Sequence, residues 1–332
     1  MSKNSKKYVL VLDLGKGVAK SLGCEITDST PNPESLKKYM FETKSYDLNK
    51  GYTELQGNSH KVDFNGSSVI LGEQGIDRSF ETSKTTPLHQ MCAYTLISQY
   101  LEPDTKDNEI YLVLACPITV LKSDKAKQEY KNLIKGNGPI SITVNDRKYE
   151  FEIKDILIKA ESSGVLYLMP EEFKDKKILV VDFGGLNMTN TIFTNGVCAN
   201  PDNDRFAEEW GSVELINKVS KYLTDYSKGN IVDFQTSEEA LNRGHLLEYG
   251  KPDLASTEYI ERAKQEFIDD SLKKLARHNV RTKNLDATIY IGGTSSYLKN
   301  QIKALPNGQI TDNPQWSSVE GLLKIAIKKY IK

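Results

Sequence analysis

Two aspartates, each ending an apolar run and each followed closely by glycine, are the residues of this chain best placed to do chemistry. The first lies in "VLVLDLGKGVAKSL" (9–22), where Asp13, Gly15 and Lys20 form the pattern D-x-G-x-x-x-x-K, with Lys16 and Gly17 between them. The second lies in "KILVVDFGGLNMTNTIF" (177–193), where Asp182, Gly184 and Gly185 form D-x-G-G. A glycine-rich turn after a buried strand exposes several backbone N–H groups that can cradle phosphate oxygens. An aspartate there cannot meet phosphate favourably, but it can hold a hydrated divalent cation that neutralises phosphate. Two such turns facing each other would grip a polyphosphate from both sides, with Lys20 as a further point charge.

One copy alone reads more simply as an ordinary strand-end turn, where Asp and Gly are common. The recurrence on similar apolar strands is what favours phosphate. A third turn supports it: "IYIGGTSS" (289–296) ends another apolar run in Gly292 and Gly293 and enters a helical pattern at Thr294. Backbone at such a turn can approach a flat ligand ring closely.

The elements that must carry these turns alternate in type. Unbroken or alternating apolar runs predict strands at 8–14, 67–75, 109–118, 140–153 (a hairpin about "NDR"), 155–161, 176–185 and 189–199. Helical spacing predicts helices at 86–101, 123–136, 211–226, 256–278 and 318–331, the second opened by a Ser/Asp cap and closed at Gly136. Residues 286–302 read as strand, Gly-Gly turn and helix. Strands alternating with helices predict an α/β fold. The chain divides on this reading into 1–160 and 161–332, with a small polar subdomain at about 30–84 and a small helical one at about 212–280.

Bulk properties exclude several function classes. A chain of 332 residues has room for two domains, and 38% hydrophobic with 27% charged residues is ordinary for a globular protein. A formal net charge of -1 gives no sign of a nucleic-acid-binding surface. The four cysteines (24, 92, 116 and 198) are scattered, with no C-x-x-C and no zinc-ligand spacing, and read as free thiols in a reducing cytosol. No apolar run approaches the ~20 residues of a membrane span. The first run meets Asp13 too early for a signal peptide, so a cytoplasmic protein is expected. His60, His89, His245 and His278 have no evident triad partner. The C-terminal helix presents Leu322, Leu323, Ala326, Ile327 and Tyr330 as an apolar stripe, with Lys324, Lys328, Lys329 and Lys332 expected in solvent.

The three turns in this order resemble the actin-like ATPase superfamily, where they correspond to the phosphate 1, phosphate 2 and adenosine motifs. "KAESSGVLYL" (159–168) and "NPQWSSVEGLLKI" (313–325) are similar to its two connecting segments. Within the superfamily the chain looks most like the bacterial ParM group of plasmid-segregation actins, on its length, on "VILGEQG" (69–75) and on 114–136. The resemblance implies a duplicated, ribonuclease H-like two-domain fold with an interdomain nucleotide cleft.

The resemblance further implies Mg²⁺ held by Asp13 and Asp182 through waters, and an attacking water oriented by Glu161, where the family has Gln or Glu. The plainer alternative is that Glu161 caps the following helix. Gly15, Lys16, Gly17, Lys20, Gly184, Gly185 and Asn187 would meet phosphates; relatives often carry Thr or Ser where this chain has Lys16-Gly17 and Leu186-Asn187. Gly292, Gly293 and Thr294 would lie near the base and ribose. Glu214 and Lys218 would join them there, or form an ordinary i,i+4 ion pair. The implied activity is hydrolysis of ATP, or GTP, coupled to head-to-tail filaments of the chain itself. The implied partner is a ParR-like DNA-bound adaptor, with no direct nucleic-acid or membrane binding. The alternative is a sugar-type small-molecule kinase of the same fold; a non-polymerising chaperone-like ATPase would need a further substrate domain.

Overall fold

The run that ends in Asp13 forms strand β1 (Lys7–Leu14) and turns directly into the antiparallel β2 (Val18–Thr27), which pairs with β3 (Lys37–Glu42). On its other side β1 is joined in parallel by β4 (Asn108–Cys116), and β4 by β5 (Arg147–Ala160). Val9 to Leu12 are 0% exposed, which explains their unbroken apolar character: both faces of the strand are covered. The described residues are 6–27, 30–51, 53–79, 81 and 83–331 of this computed structural model.

One face of the sheet, through Leu10, Leu12, Ile110 and Leu112, packs on helix α1 (Pro87–Ser98) and α2 (Asp124–Lys135). The predicted caps of α2 form: Ser123 Oγ accepts from Ala126 N at 3.2 Å, and Gly136 follows the last turn at φ 66°. Tyr111 lies beside Val9 in the register, on the opposite face, and its ring meets Tyr330 at 5.3 Å. The Tyr330 hydroxyl donates to Leu112 O at 3.1 Å, and Lys329 pairs with Asp155 at 2.7 Å. These contacts hold the C-terminal helix to the first half of the chain.

The chain accordingly divides into unit 1, Met1–Met169 with Ser318–Lys332, and unit 2, Pro170–Ser317. The expected split at 160/161, with the last helix in the second half, differs from this at both places, because those packing partners are distant in sequence. The polar stretch after residue 30 also differs from expectation. Its strands Ser45–Asp47, Ser59–Phe64 and Ser67–Gly72 extend the sheet of unit 1 beyond Ile140–Val144, and Phe41, Val62 and Leu71 enter its core. The hairpin expected at 140–153 forms, with Ile140–Val144 antiparallel to β5, and β5 runs on through the separately expected 155–161, its register shifting between Ile153 and Asp155.

Unit 2 repeats the same five-strand order. Strand β6 (Lys177–Phe183) turns into antiparallel β7 (Met188–Thr194), which pairs with β8 (Arg205–Glu208). On its other side β6 takes β9 (Ala287–Ile291) and then β10 (Gly308–Ile310), both in parallel. Leu179, Val181 and Phe183 face a core shared with helices α3 (Ser212–Tyr226), α4 (Phe234–Arg243) and α5 (Thr257–Arg277). The helices expected to form a subdomain at about 212–280 thus share one apolar core with the sheet. Among the described residues no helix is long and apolar enough to cross a membrane. Lys332 lies outside the described residues.

Candidate functional site

In unit 1, Asp13 and Lys20 stand opposite each other in the β1–β2 register, and Lys20 Nζ lies 3.1 Å from Asp13 Oδ2. The glycine turn between them is held from the side by Thr43, which is 0% exposed. Its hydroxyl donates to Gly15 O at 2.6 Å and its N–H to Gly17 O at 2.9 Å. The carbonyls at 15 and 17 are thereby spent on the protein, which fixes the plane of the Gly15-Lys16-Gly17 backbone.

Glu161 follows β5 as expected, and its N–H donates to Cys116 O at 3.0 Å. The reading as a helix cap gives way to a different partner. Lys84, 3% exposed, donates through Nζ to Glu161 Oε1. Burial disfavours the charged form of Asp13, but Lys20 and Lys84 outweigh it and hold the carboxyl below its ordinary range. For Lys84 the burial penalty is likewise outweighed, here by Glu161 and Asp13, and its proton is held more tightly than usual. His89, also fully buried, is pushed down to about 3 by burial and by the nearby charges of Lys84 and Lys16. Burial raises the Cys116 thiol to about 12, so it remains protonated.

Sequence reasoning missed Lys84 and Thr43. Lys84 sits in an aperiodic polar stretch just before the Thr86-Pro87 helix start, with nothing local to mark it. Thr43 follows a strand that pairs with β2, and only that pairing reveals its reach.

Just past Glu161 the two segments expected as connectors meet within unit 1. A Cβ added to Gly164 would lie 1.8 Å from Ser318 O, and one on Gly321 would lie 1.8 Å from Gly164 O. Only backbone fits at that crossing.

In unit 2, Asp182 stands opposite Thr189 on β7 and beside Ile291 on β9. The turn after it closes through Gly184 N donating to Asn187 O at 2.9 Å. The start of α3 is tied to this turn: Ser212 N donates to Gly184 O and Val213 N to Gly185 O, both at 3.1 Å. Thr294 is 3% exposed, and its hydroxyl donates to Gly184 O at 2.8 Å. The second and third turns are therefore one assembly. Gly292 joins it at φ +90°, a conformation that L side chains rarely adopt. A Cβ there would come within 2.3 Å of Phe183 O and 2.4 Å of Asp182 Oδ1.

Glu214 lies in the first turn of α3, one turn ahead of Lys218. The two do not pair. Lys218 Nζ instead donates to Glu266 Oε1 at 2.6 Å and Asp270 Oδ2 at 2.8 Å on α5. Those contacts make Lys218 a tie between helices.

The structure thus brings Asp13, Gly15, Lys16, Gly17, Lys20 and Glu161 together in unit 1. It brings Asp182, Gly184, Gly185, Asn187, Gly292, Gly293 and Thr294 together in unit 2. Among the described residues no group of three or more His, Cys, Asp or Glu could hold a metal by itself.

Comparison with known proteins points one way. The N-terminal domain model of actin-like proteins matches residues 12–164. The chain is 44% identical to Alp12 in its filament structure, covering 98% of this chain and 99% of that one with a TM-score of 0.70. It is 15% identical to the archaeal actin homologue Ta0583 in complex with ADP, over 97% and 99% of the two chains, with a TM-score of 0.71. It is 19% identical to the ParM of a 15-stranded filament from Clostridium botulinum, over 97% and 99%, with a TM-score of 0.70. The last two likenesses are of fold alone. No curated protein matches the chain. With two copies of one strand order, each carrying an acid-tipped glycine turn, and near-full-length identity of 44% to Alp12, the chain belongs to the actin-like protein family.

Proposed function

We propose that this chain is a polymerising, nucleotide-hydrolysing actin-like protein that assembles head-to-tail and moves plasmid DNA through a DNA-bound adaptor. The observation that carries the reading is its 44% identity, over almost the whole of both chains, to an actin-like protein solved as a filament. The nucleotide is supported by the duplicated turns, and by the ADP complex of a homologue of the same fold. Heterologous contacts that do not close on themselves generate filaments. A net charge of -1 suits an adaptor-mediated link to DNA better than direct phosphate binding.

The residues fit a magnesium-bound nucleoside triphosphate. Asp13 is kept charged by its two lysines, as a ligand for Mg²⁺ must be. Asp13 and Asp182 would hold the ion through waters, with phosphate oxygens as its other ligands. When bound, the ion neutralises charge on the phosphates. Gly15, Lys16, Gly17 and Lys20 would meet the phosphates from one hairpin, and Gly184, Gly185 and Asn187 from the other. Gly292 and Gly293 would lie against the base. Thr294 and Lys218 would act through the tethers described above, with Glu214 left for the ribose. Glu161 would orient the attacking water.

The test is right-angle light scattering of purified protein with Mg-ATP and, in parallel, Mg-GTP, followed by electron microscopy and phosphate release. Filaments accompanied by phosphate release are expected, with both lost in EDTA. Phosphate transfer that requires an added sugar, or no polymer with either nucleotide, would overturn the reading.

A further inference from the structure

In the reading above Lys84 serves only as one of the two charges beside Asp13, with no part at Glu161. Its side chain is 4% exposed, its Nζ donates to Glu161 Oε1, and it acts on Asp13 electrostatically from within the same unit. Its backbone sits at φ 54°, left-handed space that a lysine occupies only where the surroundings enforce it. Glu161 is fixed from the other direction. Its N–H is bound to Cys116 O, and the next residue, Ser162, is fully buried at φ 68°. Of the other groups near this pair, Asp13 is charged, whereas the Cys116 thiol and the Tyr130 hydroxyl are both held protonated by burial. An apolar side chain could hold the loop with a smaller desolvation penalty than a buried ammonium. The contact of Lys84 with Glu161 therefore needs a reason beyond its effect on Asp13.

We propose that Lys84 is the positioning residue of the hydrolytic centre. Its ammonium binds one carboxylate oxygen of Glu161 and fixes the rotamer. The second oxygen is left to accept a hydrogen bond from the attacking water. A carboxylate already paired to an ammonium is a weak base but a good hydrogen-bond acceptor. Glu161 on this account orients water rather than removing its proton, and hydrolysis is slow enough to leave time for a filament to grow. The inference rests on the reading of Glu161 given above.

The test is a double-mutant cycle of Lys84→Met and Glu161→Gln, with Lys84→Arg as the conservative variant. Three quantities are read: affinity for a fluorescent ATP analogue, single-turnover phosphate release, and the melting temperature of the nucleotide-free protein. Lys84→Met should bind the analogue within about threefold of wild type yet release phosphate roughly 10- to 100-fold more slowly, as expected for a misplaced reacting group. Lys84→Arg should restore much of the rate.

In the Glu161→Gln background, Lys84→Met should cause little further loss of rate, because the carboxylate it positions is gone and only its electrostatic effect on Asp13 remains. Lys84→Met alone should lower the melting temperature by stranding a carboxylate, and the double variant should recover most of that loss. If the single variant does not fold, the double variant against Glu161→Gln still decides the question. An equal further loss in that background, unaltered release in Lys84→Met, or failure of Lys84→Arg to rescue would overturn the inference while leaving the nucleotide reading intact. A wild-type protein that neither binds the analogue nor releases phosphate would overturn both.

Discussion

Replacing Gly292 by alanine tests whether the third turn is built to seat Asp182. Two costs add at this position. The backbone is at φ +90°, and holding an L side chain in left-handed space costs about 1–2 kcal/mol. The new methyl would also stand 2.3 Å from Phe183 O, where less than 3.0 Å essentially never occurs. The end of β6 would have to retreat by about 0.7 Å, and overpacking of this kind costs about 1–3 kcal/mol. Together about 2–5 kcal/mol is expected, or roughly 5–15 °C in melting temperature for a unit of this size.

The same methyl would lie 2.4 Å from Asp182 Oδ1, so the carboxylate must leave its seat. On the proposed function, Mg-dependent affinity for a fluorescent ATP analogue should fall by about 10- to 100-fold, the scale of an ångström misplacement. Gly293→Ala is the internal control, because its added carbon would meet only the Gln315 side chain, at 3.7 Å. It should melt close to wild type. Asp182→Ala should lose the Mg-dependent affinity without the full loss of stability. The reasoning fails if Gly293→Ala lowers the melting temperature as much as Gly292→Ala, or if Gly292→Ala melts like wild type.

At the crossing of Gly164 and Gly321, either alanine substitution should destabilise unit 1 by about 3–5 kcal/mol, because backbone rather than a flexible side chain stands in the way. The pair should be less than additive in denaturant unfolding, and strict additivity would mean that the two glycines are not one contact. Stability should also fall on acidification through His89. Its folded value of about 3 lies below the ordinary 6.5, so its contribution is complete above pH 6.5 and is lost as pH falls towards 3. Between pH 6.5 and 5 that amounts to about 2 kcal/mol, taking about 1.4 kcal/mol per pH unit. His89→Asn should flatten the dependence of melting temperature on pH in that window, and an unaltered slope would assign it to other groups.

The strands nearest the site were legible because burial on both faces leaves a signature that needs no partner. Val9–Leu12 and Ile178–Val181 are apolar without interruption, and the acid and glycines after them stand out against that background. Signals carried by a single turn were equally readable, as at Ser123 and Gly136. Helix α4 carried such signals too, an Asp233 cap and a left-handed Gly244, and could have been found from them. What local sequence could not reveal depends on distant partners. Tyr330 finds Leu112, Lys218 chooses α5 over its own helix neighbour Glu214, and Lys84 reaches Glu161 across 77 positions. The polar composition after residue 30 misled for a related reason. A strand that extends a sheet needs only one apolar residue in two, and Val62 between Lys61 and Asp63 meets that need.

The two halves repeat a backbone, but they stabilise their turns by different means. In unit 1 the acid at the strand end is surrounded by side-chain charge: Lys20 pairs with Asp13, and Lys84 spans the influence of Asp13 and Glu161. In unit 2 the turn is held mainly by hydrogen bonds from the start of α3 and from Thr294 to the carbonyls of Gly184 and Gly185. Hydrogen bonds within a packed turn fix geometry and change little when a ligand arrives. Ion pairs between side chains can exchange partners when a phosphate or a cation enters. Substitutions at Lys84 and Glu161 should therefore change rates more than affinity, and substitutions at Gly184, Gly292 or Thr294 should change affinity first. A common strand order gives the two hairpins their shape, and the residues outside that repeat give them different work.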